Sequence, residues 1–376
     1  MEQVFSIAGN IVSPLGFTAE ENFRAVCEGR SGVTAREGTF GIPEPFVASL
    51  VDRAAVMHRA AEEGIEGYTL FETLLLLSIR DALQRAGIGA ASPRVALVVS
   101  SIKGNVDAMD RDETTVPVSV SAARIAAFLR NPNPPLVVSN ACISGLTALI
   151  HARRMLLRED FDHVIVAGAE VQSRFIVSGF QSLKALSPEP CRPFDAARCG
   201  LNLGEAAATM ILTRGETCPP DCWALVDGAT RNDANHISGP SRTGEGSYKA
   251  LRYVLASCPP DELAFVNVHG TSTLYNDEME SIALDRAGLA QVPVNALKGY
   301  FGHTMGAAGI LESLISMQAA DAGLVLPTRG FETLGVSRPV RVSAGPRPTD
   351  KRAFIKLLSG FGGCNAALLF RKGGVR

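Results

Sequence analysis

Residues 136–145 read Leu-Val-Val-Ser-Asn-Ala-Cys-Ile-Ser-Gly. The apolar β-branched run predicts a short strand, and the small residues after it lead directly into a helical pattern. This places Cys142 on a tight turn at a helix N-terminus. The partial positive charge of that helix end favours a thiolate over a thiol, so Cys142 is predicted to be a nucleophile rather than a buried structural cysteine. Ser144 is the rival, but a serine-hydrolase turn has Gly two residues before the serine, where this chain has Cys142.

Strand and helix patterns alternate along the rest of the chain. Strands are predicted over residues 4–12, 95–100, 136–139, 163–169, 206–213, 223–231, 265–268, 354–358 and 366–370. Helices are predicted over residues 18–28, 69–86, 119–130, 145–158, 246–257, 277–287 and 307–320. Capping boxes at Thr18 and Thr69 mark the first two helices, and Gly87 marks the end of the second. This alternation predicts an α/β protein whose sheet is covered on both faces.

Composition excludes several classes of protein. The chain has 376 residues, 46% hydrophobic and 20% charged, and this much apolar material excludes a disordered chain. A formal charge of −2 supplies no general attraction to nucleic acid or to an anionic membrane. The sequence shows neither an apolar run of the ~18 residues needed to span a bilayer nor a signal peptide. We therefore expect a cytoplasmic protein with no membrane span and no nucleic-acid partner.

The chain has eight cysteines, and in a cytoplasmic protein they do not indicate a disulfide framework. Only Cys218 and Cys222 have a spacing typical of zinc ligands, and free cysteine is usually a small buried hydrophobe, so no metal is predicted. The Pro219-Pro220 pair between them is the best candidate for a joint between two halves. We expect the domains to be residues 1–218 and 219–376.

Two further motifs contain histidine. Residues 269–273 read His-Gly-Thr-Ser-Thr and follow a predicted strand, so His269 is expected to point into the crevice where α/β folds bind ligands. Lys298 and His303 lie in a glycine-rich loop that leads into a helix containing Glu312. A cation near a neutral imidazole holds its pKa down, which suits a hydrogen-bond donor or a base.

A fourth motif, Gly-Phe-Gly-Gly-Cys-Asn at residues 360–365, lies between the last two predicted strands. Its glycines free Phe361 to move and leave backbone N–H groups available as donors. The motif is weak on its own, because glycine-rich hairpins are common.

In this order, the four motifs resemble the β-ketoacyl-[acyl-carrier-protein] synthases, the elongating condensing enzymes of fatty-acid and polyketide synthesis. Shorter matches extend the resemblance over nearly the whole chain: Val-Ser-Pro-Leu-Gly at 12–16, Arg-Pro-Phe-Asp at 192–195, Gly-Glu at 204–205, Asn-Asp-Ala-Asn-His at 232–236 and Asn-Asp at 276–277. Each match is weak alone, but together they are highly specific. The Cys-His-His set indicates an elongating enzyme, because the initiating type uses Cys-His-Asn.

The resemblance implies a thiolase fold, in which duplicated βαβαβ halves form a five-layered αβαβα arrangement. The N-terminal half would carry the nucleophilic cysteine and the C-terminal half the two catalytic histidines. The substrates would be acyl and malonyl groups on the phosphopantetheine of an acyl-carrier protein, with no further cofactor. Such enzymes are normally homodimers.

Roles for individual residues follow from the same resemblance. Cys142 would accept the acyl chain as a thioester, while His269 and His303 would assist decarboxylation of the malonyl unit and stabilise the enolate. Lys298 would be the fourth catalytic residue, and Glu312 and Asp277 would support the site. The backbone N–H groups of Cys142 and Phe361 would form the oxyanion hole. The implied substrate contacts are Thr271, Thr273, Phe361, Ile143 and Leu201.

The sequence also departs from the family pattern. Ile143 follows the nucleophile where small residues are usual, which predicts a narrower site there. Leu201 stands where many relatives have Phe beside the acyl pocket, which predicts a reshaped or wider tunnel. Cys199 replaces an Asp, and Cys364 replaces the usual Thr or His and is a candidate second reactive cysteine of the thiolase kind.

Two alternatives remain open at this stage. Besides the condensing synthase, one alternative is a non-catalytic or partner-dependent subunit, like the chain-length factors that form heterodimers with active synthases. The other is a thiolase or thioester hydrolase that uses Cys142. The pathway also stays open between fatty-acid synthesis and a polyketide or aryl-polyene system. Arg53, Arg59 and Arg153 are candidates for docking an acidic carrier protein.

Overall fold

The computed structural model describes residues 3–373. The strands in this range are β1 Gln3–Val12, β2 Val33–Arg36, β3 Phe46–Ser49, β4 Val95–Ser100, β5 Leu136–Val138, β6 His163–Glu170, β7 Leu203–Gly204, β8 Ala206–Gly215, β9 Trp223–Asn232, β10 Phe265–Asn267, β11 Pro293–Asn295, β12 Leu324–Val325, β13 Arg341–Val342, β14 Arg347–Pro348, β15 Ala353–Gly360 and β16 Cys364–Lys372. The helices are α1 Ala19–Cys27, α2 Arg53–Glu62, α3 Leu70–Ala86, α4 Val118–Phe128, α5 Ser144–Leu157, α6 Arg174–Ser182, α7 Glu245–Leu255, α8 Leu274–Arg286, α9 Lys298–Phe301 and α10 Ala308–Asp321.

The main sheet has eleven strands within the described range, in the order β13-β11-β10-β15-β16-β9-β1-β8-β6-β4-β5. Its central contact is thin, because β1 and β9 pair only through Phe5 with Ala224 and Ser6 with Trp223. The sheet therefore consists of two halves that meet at this contact. Residues 216–222 connect the two halves along the chain.

Both halves have the same topology. Counted along the chain, the five main strands of each half lie in the order 3-2-4-5-1, as β5-β4-β6-β8-β1 and as β11-β10-β15-β16-β9. In each half, strand 2 is parallel to strands 3 and 4, and the remaining pairs are antiparallel. The second half is thus a structural duplicate of the first, with β13 added at its edge.

The helices form three layers around the two halves of the sheet. Helices α5 and α10 pack against each other and against strands of both halves. The outer layers are α3 and α4 on the first half and α7 and α8 on the second. This confirms the expected five-layered αβαβα arrangement. Because both faces of the sheet are covered, β4, β6 and β15 are hydrophobic almost without interruption.

Glycines allow the close contact between α5 and α10. A Cβ atom on Gly309 would collide with the backbone nitrogen of Leu146, and one on Gly145 would lie 2.8 Å from the carbonyl oxygen of Gly306. Neither position has room for a side chain, so the first turns of the two helices touch through their backbones. This contact holds together the two chain segments that carry the sequence motifs.

The predicted elements are present, with ends that differ by a few residues. Both capping boxes form, at Thr18 and at Thr69, and Gly87 ends α3 in the left-handed conformation with φ 66°. The small sheet β2-β3-β7 and helices α2 and α6 were not predicted from the sequence. Over residues 3–373, no helix is both long enough and apolar enough to cross a membrane.

We expect Gly309→Ala to lower the free energy of unfolding by about 2 kcal/mol, because the added methyl group overpacks a backbone contact. The matched control is Gly179→Ala in α6, where a Cβ atom would meet nothing within 4 Å. This control should raise stability by up to about 1 kcal/mol, as Ala is the better helix former. Chemical denaturation measures both changes, and equal effects of the two substitutions would contradict the packing argument.

Candidate active site

The sequence motifs meet where strands of the two halves end. Cys142 lies between α5 and β5, which is the third main strand of the first half. Lys298 and His303 lie between β11 and α10, the equivalent position of the second half. His269 follows β10, and Phe361 follows β15. The duplicated topology therefore brings all five residues to one place.

The cysteine and the two histidines form a compact buried group. The Sγ atom of Cys142 and a ring nitrogen of each of His269 and His303 all lie within 4.8 Å of one another. The centroids of the two imidazole rings are 5.1 Å apart, and the ring planes are nearly perpendicular, with an interplanar angle of 82°. The residues are only 6%, 4% and 1% exposed, respectively, so their chemistry takes place largely out of contact with bulk water.

The turn before α5 has the strained geometry of a nucleophile turn. Ala141 has φ 44°, a left-handed conformation that residues with a Cβ atom rarely adopt. Ser144 is buried, and its hydroxyl donates to the carbonyl oxygen of Ala141 at 2.6 Å and accepts from the N–H of Asn140 at 2.8 Å. These bonds occupy the Ser144 hydroxyl in holding the turn, which leaves Cys142 as the candidate nucleophile.

The helix end favours a thiolate at Cys142, but burial acts in the opposite direction and has the larger effect. Burial raises the pKa of its thiol to about 12, although the Lys298 charge and the backbone N–H groups of Phe361 and of Cys142 itself act in the opposite direction. The cost of desolvating a thiolate therefore exceeds what the helix end and the nearby cation supply. The thiol must lose its proton during the reaction rather than before it.

Both histidines are neutral at physiological pH. Burial and then Lys298 lower the pKa of each imidazole well below its usual value. The N–H of Met305 donates to Nδ1 of His303 at 3.3 Å, which places the ring proton on Nε2. Within the described part of the chain, that Nε2 is buried with no partner, as is Nδ1 of His269. His303 thus presents an unused N–H donor in the site.

A network of two lysines and one glutamate lies behind the histidines. Lys298 donates to Oε1 of Glu312 at 2.9 Å, so two of the expected site residues form an ion pair. Lys356, which was not predicted from the sequence, donates to Oε2 of the same carboxylate at 2.5 Å. All three side chains are at most 2% exposed. The available signal was a lysine in the otherwise hydrophobic run Phe354–Leu358.

Two carboxylates of α8 hold the loop that carries His269. Glu280 accepts from the backbone N–H groups of His269 and Gly270, each at 2.7 Å. Asp277 accepts from the N–H groups of Thr271 and Ser272, at 3.1 and 3.2 Å. Asp277 was predicted to support the site, whereas Glu280 was missed although it lies one helical turn further on the same face.

A third carboxylate, Glu170, holds the loop after His303 and was also missed by the sequence analysis. At the end of β6, it accepts from the backbone N–H groups of Gly306 at 2.9 Å and of Ile102 at 3.1 Å. The bond to Gly306 crosses from the first half of the fold to the second, whereas Ile102 belongs to the same half as Glu170. Burial raises the pKa of Glu170 to about 7, against the effect of these N–H donors.

A cavity of about 510 Å³ opens onto the three reactive side chains. Thr271, Thr273, Leu201 and Phe361, which the family resemblance suggests as substrate contacts, line this cavity, and the hydroxyls of the two threonines lie 2.9 Å apart. Ile143 does not line the cavity, because its side chain is buried in the core around α5. The structure therefore gives no basis for the predicted narrowing at Ile143.

Phe361 contributes both its ring and its backbone. The ring stacks on Phe180 at 5.8 Å between centroids, beside the cavity. Its backbone N–H and that of Cys142 both face the Cys142 sulfur. The nearby Cys364 lies outside the cavity lining, and its sulfur accepts from the Asn232 amide at 3.7 Å.

A thiol and two imidazoles at this spacing could also hold a soft metal ion. Against this reading, two buried lysines lie behind them, and positive charge there repels a cation. The donor set therefore suits covalent and hydrogen-bond chemistry better than metal binding.

Two family profiles match the chain. The profile "Beta-ketoacyl synthase, N-terminal domain" matches residues 1–217, and "Beta-ketoacyl synthase, C-terminal domain" matches residues 224–332. The chain belongs to the β-ketoacyl synthase family. It is therefore an acyltransferase of the condensing type, as the sequence motifs implied.

Individual relatives agree with this assignment. The 3-oxoacyl-[acyl-carrier-protein] synthase 2 of Vibrio cholerae is 30% identical, over 96% of this chain and 97% of that protein. The enzyme of the same name from Coxiella burnetii is 27% identical, over 96% of each. A ketosynthase from Xenorhabdus doucetiae, solved in complex with its chain length factor, superposes with a TM-score of 0.88 at 24% identity, covering 99% of this chain and 98% of that one. This superposition confirms the predicted fold.

We expect alkylation of Cys142 by iodoacetamide to accelerate about tenfold for each pH unit between pH 7 and pH 10, because only the thiolate reacts and its thiol has a raised pKa. Peptide mapping follows the adduct on Cys142, and the Cys142→Ala variant identifies signal from other cysteines. A rate that levels off below pH 9 would contradict the dominance of burial.

Proposed function

We propose that this synthase condenses an acyl group held on Cys142 with malonyl-acyl-carrier protein, releasing CO2 and giving a 3-oxoacyl-carrier protein. The observation that carries this proposal is the convergence of one thiol and two neutral imidazoles at the end of a cavity, with two backbone N–H groups facing the sulfur. Each proposed step uses one part of that arrangement.

In the first step, the Cys142 sulfur attacks the carbonyl carbon of the acyl thioester. A new S–C bond forms, the pantetheine sulfur leaves, and the thiol proton passes to that sulfur through a neighbouring imidazole. Sulfur suits the step because it is both nucleophile and leaving group. The N–H groups of Cys142 and Phe361 would stabilise the oxyanion, and such a donor is worth about 3–4 kcal/mol.

In the second step, the malonyl thioester occupies the place of the departed pantetheine. The bond between its carboxylate and α-carbon breaks, CO2 leaves, and the electron pair moves to the thioester oxygen as an enolate. His303, through Nε2–H, and His269 would donate to that oxygen. The α-carbon then attacks the acyl carbon, the Cys142 sulfur leaves as a thiolate, and it takes up one proton from solvent through a neighbouring imidazole. Neutral imidazoles can donate without trapping a proton.

The proposed partner is an acyl-carrier protein whose phosphopantetheine enters the cavity past Thr271 and Thr273. A relative of this chain is named for acyl-carrier-protein substrates. Arg53 and Arg59 are about half exposed and remain candidates for docking an acidic carrier. Arg153 is a weaker candidate, because its guanidinium already donates to the carbonyl oxygens of Leu225 and Val226.

We also propose that the chain forms a dimer through β5. This strand ends the main sheet, so one edge of its backbone is unpaired in the sheet, and Leu136 on it is 39% exposed. A second copy is the proposed partner, and a chain-length-factor-like subunit is the alternative. The domain division at residue 218 and the cytoplasmic location remain predictions.

Intact-mass analysis after incubation with a panel of acyl-carrier proteins tests the first step. We expect the wild type to gain the mass of one acyl group and Cys142→Ala to gain none. Release of CO2 from malonyl-carrier protein distinguishes a decarboxylating synthase from a thiolase or hydrolase. A wild type that neither gains an adduct nor releases CO2, alone or with a partner subunit, would contradict the proposal.

Substitution of Leu201 tests the position of the acyl chain. Leu201 is 4% exposed and lines the cavity, so Leu201→Phe should fill space needed by longer acyl groups. We expect kcat/KM to fall at least tenfold for the longest accepted primer and about twofold for the shortest. Leu274→Phe is the control, because Leu274 also lines the cavity but is 55% exposed. A uniform loss across chain lengths would place the acyl chain elsewhere.

A further inference from the structure

Lys356 is a buried cation to which none of the proposed steps assigns a role. It lies in the middle of the apolar strand β15 and is 0% exposed. Besides Glu312, its ammonium group donates to Oδ1 of Asn267 at 2.6 Å and to the carbonyl oxygen of Val268 at 3.1 Å. Val268 directly precedes His269, so Lys356 holds the end of the chain segment that presents this histidine.

The network around Lys356 has an excess of positive charge. Glu312 on α10 is its one contacting carboxylate in the described chain, and Lys298 on α9 shares that carboxylate. Glu280 on α8 is a more distant acidic influence on the ammonium group. Buried charges are normally paired, so burying a second lysine against a single carboxylate costs stability. That cost indicates that Lys356 has a function.

We propose that Lys356 is a positioning residue of the condensation reaction: it fixes the segment before His269 and supplies a second buried positive charge that acts with burial and Lys298 to keep both imidazoles neutral. The role of the imidazoles in this inference rests on the proposed function. The effect on their protonation depends only on the arrangement of charges.

The electrostatic effects support this proposal. Burial lowers the pKa of both imidazoles most, followed by Lys298, and Lys356 acts in the same direction on each. Burial also lowers the pKa of Lys356 itself, to about 8. Its charge is therefore present below pH 8, the range in which an imidazole would otherwise take up a proton. Removing that charge should raise the pKa of each imidazole and move the acid limit of activity to higher pH.

Two variants cancel the charge by different means. Lys356→Gln removes it and keeps a hydrogen-bond donor near Asn267. Asn267→Asp leaves Lys356 in place and sets a carboxylate where the ammonium group now contacts an amide oxygen. The neighbouring Asn295 can accommodate this change, because its amide nitrogen is buried without a partner in the described structure and can turn toward the new carboxylate. Lys351→Gln, at an exposed position, is the matched control for overall charge.

The imidazole titrations of His269 and His303 are followed by NMR, and CO2 release from malonyl-carrier protein is measured against pH. We expect both charge-cancelling variants to raise the imidazole titration midpoints by roughly half a pH unit to one pH unit. The fall in CO2 release at low pH should move to higher pH by the same amount, and Lys351→Gln should change neither. If Lys356→Gln does not fold, Asn267→Asp decides the result.

The inference would be overturned if both charge-cancelling variants kept the wild-type imidazole midpoints and the wild-type fall in CO2 release at low pH. A lower melting temperature in such variants would then show a merely structural role for Lys356. A wild type that releases no CO2 would contradict the proposed function, and the NMR midpoints would still decide whether Lys356 controls imidazole protonation.

Discussion

The backbone contact between the first turns of α5 and α10 is the constraint on which the site depends. Gly145, Gly306 and Gly309 have no side chains, and a Cβ atom at any of them would meet backbone or, at Gly306, also the Glu170 carboxylate. The loops that lead into these helices therefore lie side by side. One loop brings the nucleophile from the first half of the fold, and the other brings His303 from the second. Neither half contains the reactive group by itself.

Burial then determines the protonation state of this shared site. It keeps the Cys142 thiol protonated despite the adjacent helix end, and it keeps both imidazoles neutral. The charged side chains lie behind the reacting atoms, where Glu312 forms ion pairs with both Lys298 and Lys356. The resting site is thus uncharged at the reacting atoms and surrounded by fixed hydrogen-bond donors. Such donors can stabilise the negative charge that develops in the transition state without first having to reorganise.

Much of this could be predicted from the sequence, because the decisive signals are local. The turn at Cys142, the capping boxes and the His269 motif each depend on neighbouring residues. The missed residues, Lys356, Glu280 and Glu170, act across strands and helices that only the 3-2-4-5-1 order brings together. Pattern alone could not weigh burial against the helix end at Cys142, nor show that the Ile143 side chain turns into the core. The sheet β2-β3-β7 was missed because its strands have at most four residues.

The raised pKa of the Cys142 thiol also bears on how the enzyme survives oxidants. Peroxide attacks thiolates, and the first products, sulfenic acids, form fastest at accessible ionised cysteines. A protonated sulfur that is 6% exposed offers little of either property, whereas Cys27 and Cys199 are exposed. The same burial that delays deprotonation until substrate arrives therefore shields the empty enzyme from losing its nucleophile to oxidation between turnovers.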